Sequence, residues 1–330
     1  MDVTVVGGGS WGTTIAHVAA GNGHNVTLLL RDEKVALHIN RHRENPKYLP
    51  EKRLNKGIRA TTNWESALKS KAELIVIAVP SGVMDRVARR ISLYISPDTP
   101  VLSASKGLAP PGLTTMTEVI ARYIKGPTGA LGGPNLSMEI LQGQPTASVV
   151  GSKDKRVIEL SVQLLSSERY RVYGSLDPLG VQLAGALKNI YAIGAGIAEA
   201  LGFGLNAKAF FLTRALAEME RLGRSLGADP LTFHGLAGMG DLIATANSTY
   251  SRNFRLGMLI ANKVGLKEAV GILGQVAEGA GTVSVVHEYV QTTGLDMPQA
   301  EGIYRVLYEG ADVHSVIRGL MTRKKLFEEY

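Results

Sequence analysis

Val3-Thr4-Val5-Val6-Gly7-Gly8-Gly9-Ser10-Trp11-Gly12 is the stretch that decides the fold. A short, mostly apolar strand runs straight into a G-x-G-x-x-G turn. The residues that follow predict a helix over about 13–21 and, after Gly23, a second strand over 25–30. Strand, glycine turn, helix and strand in that order are the context that gives the glycine pattern its meaning. Gly7 makes the turn, Gly9 lets a pyrophosphate touch backbone, and Gly12 lets the helix pack on the strand. The helix start adds free N–H groups and the positive end of its dipole. A structural Gly-rich turn is the alternative for the glycines in isolation.

The second strand ends Leu30-Arg31-Asp32. Folds selective for NAD place an acid here for the ribose 2′-hydroxyl, and those selective for NADP place an Arg for the 2′-phosphate. Arg31 comes first after the apolar run, which favours NADP(H) or dual use and leaves Asp32 as a possible solvated loop acid. Residues 33–60, with Pro46 and Pro50, predict a helix and an extended loop. A helix begins at Asn63. The continuous apolar run 74–79 predicts a strand buried on both faces, closed by Pro80-Ser81 and followed by a helix from about Val83. A strand over 100–105 sets Lys106 at a strand's carboxyl end, where ligands of such sheets bind. Gly132-Gly133-Pro134-Asn135 follows another strand, and Ser137 starts a helix. Strands over 146–150 and 170–173 flank a helix over 154–165. The alternation predicts an α/β fold, a doubly wound Rossmann-like sheet over residues 1–177.

The remaining residues, 178–330, predict an all-α substrate and catalytic domain. Asp177-Pro178 reads as an N-cap with Pro at the first helical position. From Leu179 to Leu201 nearly every residue is apolar or small, so the helix is buried on all sides. Lys188 stands in its middle. Lysine is almost never fully buried unless paired, and burial lowers its pKa. Together with Asn189 it reads as one wall of an active site, the alternative being a lysine that snorkels from one face. Asn206 is expected to cap a helix to about Leu226, with apolar positions Phe210, Leu212, Leu216 and Met219. The Gly-rich run 235–245 breaks regularity and carries the single acid Asp241. Ser251-Arg252-Asn253 at a helix start makes an oxyanion site from side-chain donors, backbone N–H groups and a guanidinium, or else an ordinary serine cap beside a surface Arg. Gln275 to Gly279 reads as a loop before a helix through Val290, and two short helices close the chain.

The chain has 330 residues, which fits two domains. It contains no cysteine, which excludes disulfides, thiolate metal sites and cysteine nucleophiles. A formal charge of +7 fits nucleic-acid binding or the steering of small anions. Basic clusters are small, as at Arg41-His42-Arg43 and Arg323-Lys324-Lys325, and there is no nucleic-acid motif, so small anions are favoured. The first strand begins at Asp2, leaving no room for a signal peptide, and no apolar run reaches the ~18 residues that span a membrane. A cytoplasmic protein with no nucleic-acid partner, no stable membrane insertion and no metal site is expected.

In chain order, Gly7 to Gly12, Ser105-Lys106-Gly107, Gly132 to Asn135, Ala186-Leu187-Lys188-Asn189, Asn206-Ala207-Lys208-Ala209, Gly240-Asp241-Leu242 with Thr245, and Ser251-Arg252-Asn253 resemble the bacterial-type NAD(P)-dependent glycerol-3-phosphate dehydrogenases. The resemblance covers essentially the whole chain. It implies reversible hydride transfer between NAD(P)H and dihydroxyacetone phosphate, giving sn-glycerol 3-phosphate for glycerophospholipid synthesis, and a homodimer. It implies Lys188 as the general acid/base. Substrate contacts are implied for Lys106, Gly133, Asn135, Lys188, Asn189, Asp241, Thr245, Ser251, Arg252 and Asn253. Cofactor contacts, to NADP(H) or NAD(H), are implied for Gly7, Gly9, Ser10, Trp11, Gly12, Arg31, Lys106, Ser137, Arg252, Val276 and Glu278. Asn135 and Ser137 sit where the family varies among small residues, and Met239 precedes Gly240. None of these departures removes a functional group. Another phosphorylated or acidic hydroxy compound as substrate is the alternative. A dinucleotide sensor without activity is a further one, against which an intact Lys188, Asp241 and Lys106 argue.

Overall fold

A computed structural model describes residues 1–69 and 72–324, so Lys325 of the last basic cluster lies outside the described residues. Two compact units are present. One comprises Met1–Ser105 and Met116–Pro178, the other Lys106–Thr115 and Leu179–Tyr330.

The first unit alternates strand and helix: β1 (Asp2–Val6), α1 (Ser10–Gly21), β2 (Asn25–Leu29), α2 (Glu33–His42), β3 (Ile58–Thr61), α3 (Trp64–Leu68), β4 (Leu74–Ile77), α4 (Met84–Ile91) and β5 (Val101–Ser103). Then come α5 (Met116–Ala121), β6 (Thr128–Gly132), α6 (Ser137–Leu141), β7 (Thr146–Ser152), α7 (Lys155–Leu165) and β8 (Tyr170–Ser175). The strands form one sheet in the order β3-β2-β1-β4-β5-β6-β7-β8. Every pairing is parallel except β6 with β7. Val3 stands opposite Val26 on one side and Leu74 on the other. Every residue of β4 is buried, as the continuous apolar run required. Strand order reverses between β1 and β4, which makes the crevice beyond their carboxyl ends the ligand-binding position of such a sheet.

Several local expectations need correction. The helix after the glycine turn starts at Ser10 rather than Thr13, because Gly9 is extended and its carbonyl accepts Thr13 N–H at 3.0 Å. Ser10, Trp11 and Gly12 are therefore its first turn. The stretch taken as a helix and an extended loop holds the edge strand β3, whose four residues, one of them Arg59, carry too short an alternation to stand out. Asp32 is not merely solvated: it caps α2 by accepting Val35 N–H at 3.3 Å and lies 3.6 Å from Lys47 Nζ.

The second unit is helical: α8 (Pro178–Ala200), α9 (Leu205–Ser225), α10 (Pro230–His234), α11 (Asp241–Ala246), α12 (Arg252–Ala261), α13 (Leu266–Leu273), α14 (Glu278–Thr293), α15 (Pro298–Tyr308) and α16 (Val313–Met321). The middle of α8 is buried on all sides. It lies backbone to backbone on α12: a Cβ at Gly196 would meet the Phe254 carbonyl oxygen at 1.9 Å, and one at Gly257 the Ile193 oxygen at 2.0 Å. Glycine alone permits that crossing. Glu218 of α9 ties three helices together, accepting Tyr191 O–H at 3.0 Å and the first-turn N–H groups of Gln299 and Ala300 at 2.7 and 3.1 Å. One expectation fails on α9: Gly204, extended, is its N-cap and Asn206 lies inside the first turn. Of its apolar positions Leu216 and Met219 are buried, whereas Phe210 is 51% exposed. No helix among the described residues is long and apolar enough to cross a membrane.

Candidate active site

Lys188 comes from the centre of α8, where the largely apolar, buried helix leaves the residue 6% exposed. Its partner arrives by a different local device. A π-helical turn over Leu236–Gly240, closed by Gly240 N–H to the Gly235 carbonyl at 3.1 Å, leads directly into α11. Such turns are rare and concentrate at functional sites. Asp241, the first residue of α11, is thereby buried at 1% exposure. Its Oδ1 accepts from Lys188 Nζ at 2.8 Å, and its Oδ2 from Lys106 Nζ at 2.7 Å. Thr245, one turn along α11, accepts a second hydrogen from Lys188 and donates to Asp241 Oδ1 at 3.3 Å. Among the described residues the third Lys188 N–H is uncommitted, so the amine can address one further acceptor.

Two ammonium groups share one carboxylate, giving the cluster a net positive charge. Burial works against the Lys188 cation, Asp241 supports it, and the nearby Lys106 charge opposes it again. The balance lowers the Lys188 pKa from 10.5 to about 8. An amine there exchanges a proton readily near neutrality. Lys106 belongs to the helical unit with residues 106–115, whereas β5 ends at Ser103. Lys106 thus follows β5 closely in sequence but groups with the helical unit.

Asn189 and Asn253 link the surrounding helices. Asn253 Nδ2 donates to Asn189 Oδ1 at 2.8 Å, and Gly279 N–H donates to Asn253 Oδ1 at 2.9 Å. Asn189 Nδ2 in turn donates to the Lys106 carbonyl at 3.4 Å. Both amides are thus engaged in holding α8, α12, α14 and Lys106 together. Ser251 caps α12, accepting Phe254 N–H at 3.2 Å. Arg252 is the first residue of α12 and exposed, Glu278 is the first of α14, and Val276 is exposed just before it.

The first unit carries the dinucleotide turn. Gly7 has φ of 122°, and a Cβ there would meet the Ala78 carbonyl oxygen at 2.2 Å; one at Gly12 would meet the Gly7 oxygen at 1.9 Å. A Cβ at Gly9 would meet nothing within 4 Å. Turn and helix thus close tightly on the strand while the Gly9 face stays open, which fits a pyrophosphate cradle at the start of α1. Ser10 Oγ donates to the Tyr48 carbonyl at 3.1 Å, leaving its backbone N–H as the group for a phosphate. Trp11 packs on the core of this unit, and its indole N–H is buried without a partner among the described residues. Arg31 is exposed beyond β2, while Asp32 is occupied by its cap. Gly133, with φ of 100°, turns the chain after β6; Asn135 is half-buried in the turn and Ser137 opens α6.

A nucleotide-binding sheet followed by a helical unit with a paired, pKa-lowered amine is the equipment of a nicotinamide-dependent dehydrogenase with an all-α second domain. The models of the NAD-dependent glycerol-3-phosphate dehydrogenase N-terminus and C-terminus match residues 2–158 and 177–318. The glycerol-3-phosphate dehydrogenase (NAD(P)+) of Teredinibacter turnerae is 43% identical over 98% of this chain and 95% of its own. The crystal structure of glycerol-3-phosphate dehydrogenase from Coxiella burnetii superposes with a TM-score of 0.93 at 33% identity, covering 98% of this chain and 99% of its own. A ketopantoate reductase from Ralstonia eutropha, at TM-score 0.60 and 13% identity over 97% of this chain and 100% of its own, shares the fold alone. The chain belongs to the NAD-dependent glycerol-3-phosphate dehydrogenase family.

Proposed function

We propose that this chain interconverts dihydroxyacetone phosphate and sn-glycerol 3-phosphate with NAD(P)(H). The observation that carries the reading is the buried Lys188 amine on Asp241, with Lys106 on the other carboxylate oxygen. The nicotinamide, when bound, supplies or accepts the hydride at C2. In reduction the Lys188 ammonium gives its uncommitted proton to the C2 oxygen; in oxidation the neutral amine takes it back. Asp241 and Thr245 hold the amine in one orientation through both states. The Lys106 charge stabilises the alkoxide-like oxygen as the carbonyl is reduced. Gly7 to Gly12 would hold the pyrophosphate of the bound dinucleotide, against the open face at Gly9. Arg252 at the head of α12 is suited to the substrate phosphate, since a guanidinium fork and helix N–H groups complement its oxygens. Remote phosphate binding then helps fix C2 for reaction. Asn189 and Asn253 keep Lys106 and α12 in register.

The direct test is the loss of reduced-nicotinamide absorbance with dihydroxyacetone phosphate and each cofactor, with chiral analysis of the product. Turnover yielding sn-glycerol 3-phosphate supports the reading; no turnover with either cofactor contradicts it.

Two variants probe the binding assignments. Arg31→Ala is expected to weaken NADPH by about tenfold or more, the worth of a charge-assisted hydrogen bond, while leaving NADH nearly unchanged. Equal weakening of both would remove Arg31 from 2′-phosphate recognition. Arg252→Ala is expected to harm dihydroxyacetone phosphate severely and phosphate-free dihydroxyacetone hardly at all, with NADH as cofactor. Equal losses for the two substrates would remove Arg252 as the phosphate anchor.

The product suits glycerophospholipid synthesis, in a cytoplasm that supplies reduced nicotinamide. The family resemblance supports a homodimer. Light scattering in solution tests that assembly.

A further inference from the structure

Asp241 serves two ammonium groups from one position, so a small displacement of its backbone weakens one contact or the other. The π-helical turn that delivers it is seated on one buried face. Ala237 and Gly238 are buried, whereas Gly235 and Met239 are exposed. Gly238 rests backbone on backbone: a Cβ there would meet the Phe233 carbonyl oxygen at 2.0 Å and its Cα at 2.5 Å. Main-chain atoms cannot swing aside as the end of a flexible side chain can. Phe233, on α10, is fully buried, and its ring is seated in turn on α9. A Cβ at Gly223 of α9 would meet the ring at Cζ, 2.2 Å away, and at Cε2, 2.3 Å away. The start of α10 is fixed by Asp229, whose carboxylate accepts Leu231 N–H at 2.9 Å. One line of close contacts thus runs from α9 to the cluster. It passes from Gly223 to the Phe233 ring, from the Phe233 main chain to Gly238, and from the Gly238 carbonyl to the Asp241 N–H that it accepts. Every member belongs to the helical unit. Interiors packed at near-crystalline density transmit such displacements rather than absorb them.

We propose that Gly223, Phe233 and Gly238 are positioning residues that set where Asp241 meets the Lys188 amine and so govern its proton transfer to and from the substrate oxygen. The proposal rests on the reading of the chain as a dihydroxyacetone phosphate reductase. Glycine and phenylalanine hold no proton-transfer group, so their effect passes through Asp241. The charged groups that act on Lys188 are Asp241 of α11, Lys106, and Arg252 of α12. Of these, Asp241 favours the ammonium, while Lys106 and Arg252 oppose it. Moving Asp241 away therefore lowers the pH at which Lys188 gives up its proton. A residue that only stabilised the fold would change the melting temperature and the active fraction but leave that pH in place.

The test is the pH dependence of kcat/KM in both directions on the intact enzyme, with melting temperatures alongside, for the parent, Gly238→Ala, Gly223→Ala and the Gly223→Ala, Phe233→Leu pair. In the parent, reduction falls and oxidation rises around pH 8. In Gly238→Ala both transitions are expected to move down together by about one pH unit, the effect of withdrawing a neighbouring countercharge. Reduction at pH 8 then falls by about fivefold, because less of the amine is protonated. Gly223→Ala should move both transitions in the same direction by less, since a ring edge yields where main chain does not. It carries the test should Gly238→Ala fail to fold. In the pair, the added methyl takes the space that the ring tip vacates, a nearly volume-conserving exchange. Its transitions should return toward those of the parent. Transitions that stay at the parent's pH in the single variants, or a pair displaced further than Gly223→Ala, overturn the proposal alone. A parent inert toward dihydroxyacetone phosphate overturns it together with the reading beneath it.

Discussion

Lys188→Ala is expected to fold, to bind nicotinamide cofactor normally and to lose turnover by about 10²-fold or more, the usual scale of general acid–base catalysis. Folding survives because the deletion leaves Asp241 and Lys106 as a matched pair at 2.7 Å rather than an orphaned charge. Cofactor binding survives because the dinucleotide turn belongs to the other unit. Turnover does not survive, since the proton exchanged with the C2 oxygen is carried by the Lys188 amine, whose pKa is lowered to about 8. Lys106 is held on the opposite carboxylate oxygen. Steady-state rates and cofactor titration on the purified variant check this, and near-normal turnover would remove Lys188 from the chemistry.

Asp241→Asn is expected to be the more damaging change to the protein itself. It is nearly isosteric, so packing is conserved, but two ammonium groups lose their common countercharge in a buried place. Removing one partner of a buried ion pair costs about 3–5 kcal/mol. Part of that cost can be relieved if Lys188 gives up its proton. Its pKa then falls below about 8 and the acid needed for reduction is depleted as pH approaches neutrality from below. Reduction should fall by about 10²-fold or more, the scale of lost acid catalysis. The expected signature is a lower melting temperature together with a reduction rate that recovers as pH is lowered. A variant with the parent's stability and pH profile would mean that Asp241 neither balances nor tunes the lysines.

Much of this site is legible in the chain because its parts obey local rules. The β1–α1–β2 context gives the dinucleotide turn its meaning, and one lysine in an otherwise apolar helix marks a buried, paired amine. Asp241 stands out as the single acid after a glycine run. That run forms a π-helical turn, whose hydrogen-bonding pattern no residue spacing announces. Local rules also cannot say that residues 106–115 join the helical unit, since that depends on contacts distant in sequence. The edge strand β3 is too short for its alternation to emerge. Asn206 illustrates a competition between caps: a good cap residue lost the position to Gly204, whose extended backbone fixes the helix start two residues earlier.

The claim that Lys188 carries the proton in both directions is tested most directly by the pH dependence of kcat/KM measured for reduction and oxidation in the same preparation. These profiles report the essential groups of the free enzyme. Reduction needs the ammonium, so its rate should fall as pH rises through about 8; oxidation needs the free amine, so its rate should rise through the same value. Both limbs should vanish from the residual activity of Lys188→Ala. Limbs running in the same direction for the two reactions, or limbs that persist in Lys188→Ala, would contradict the account.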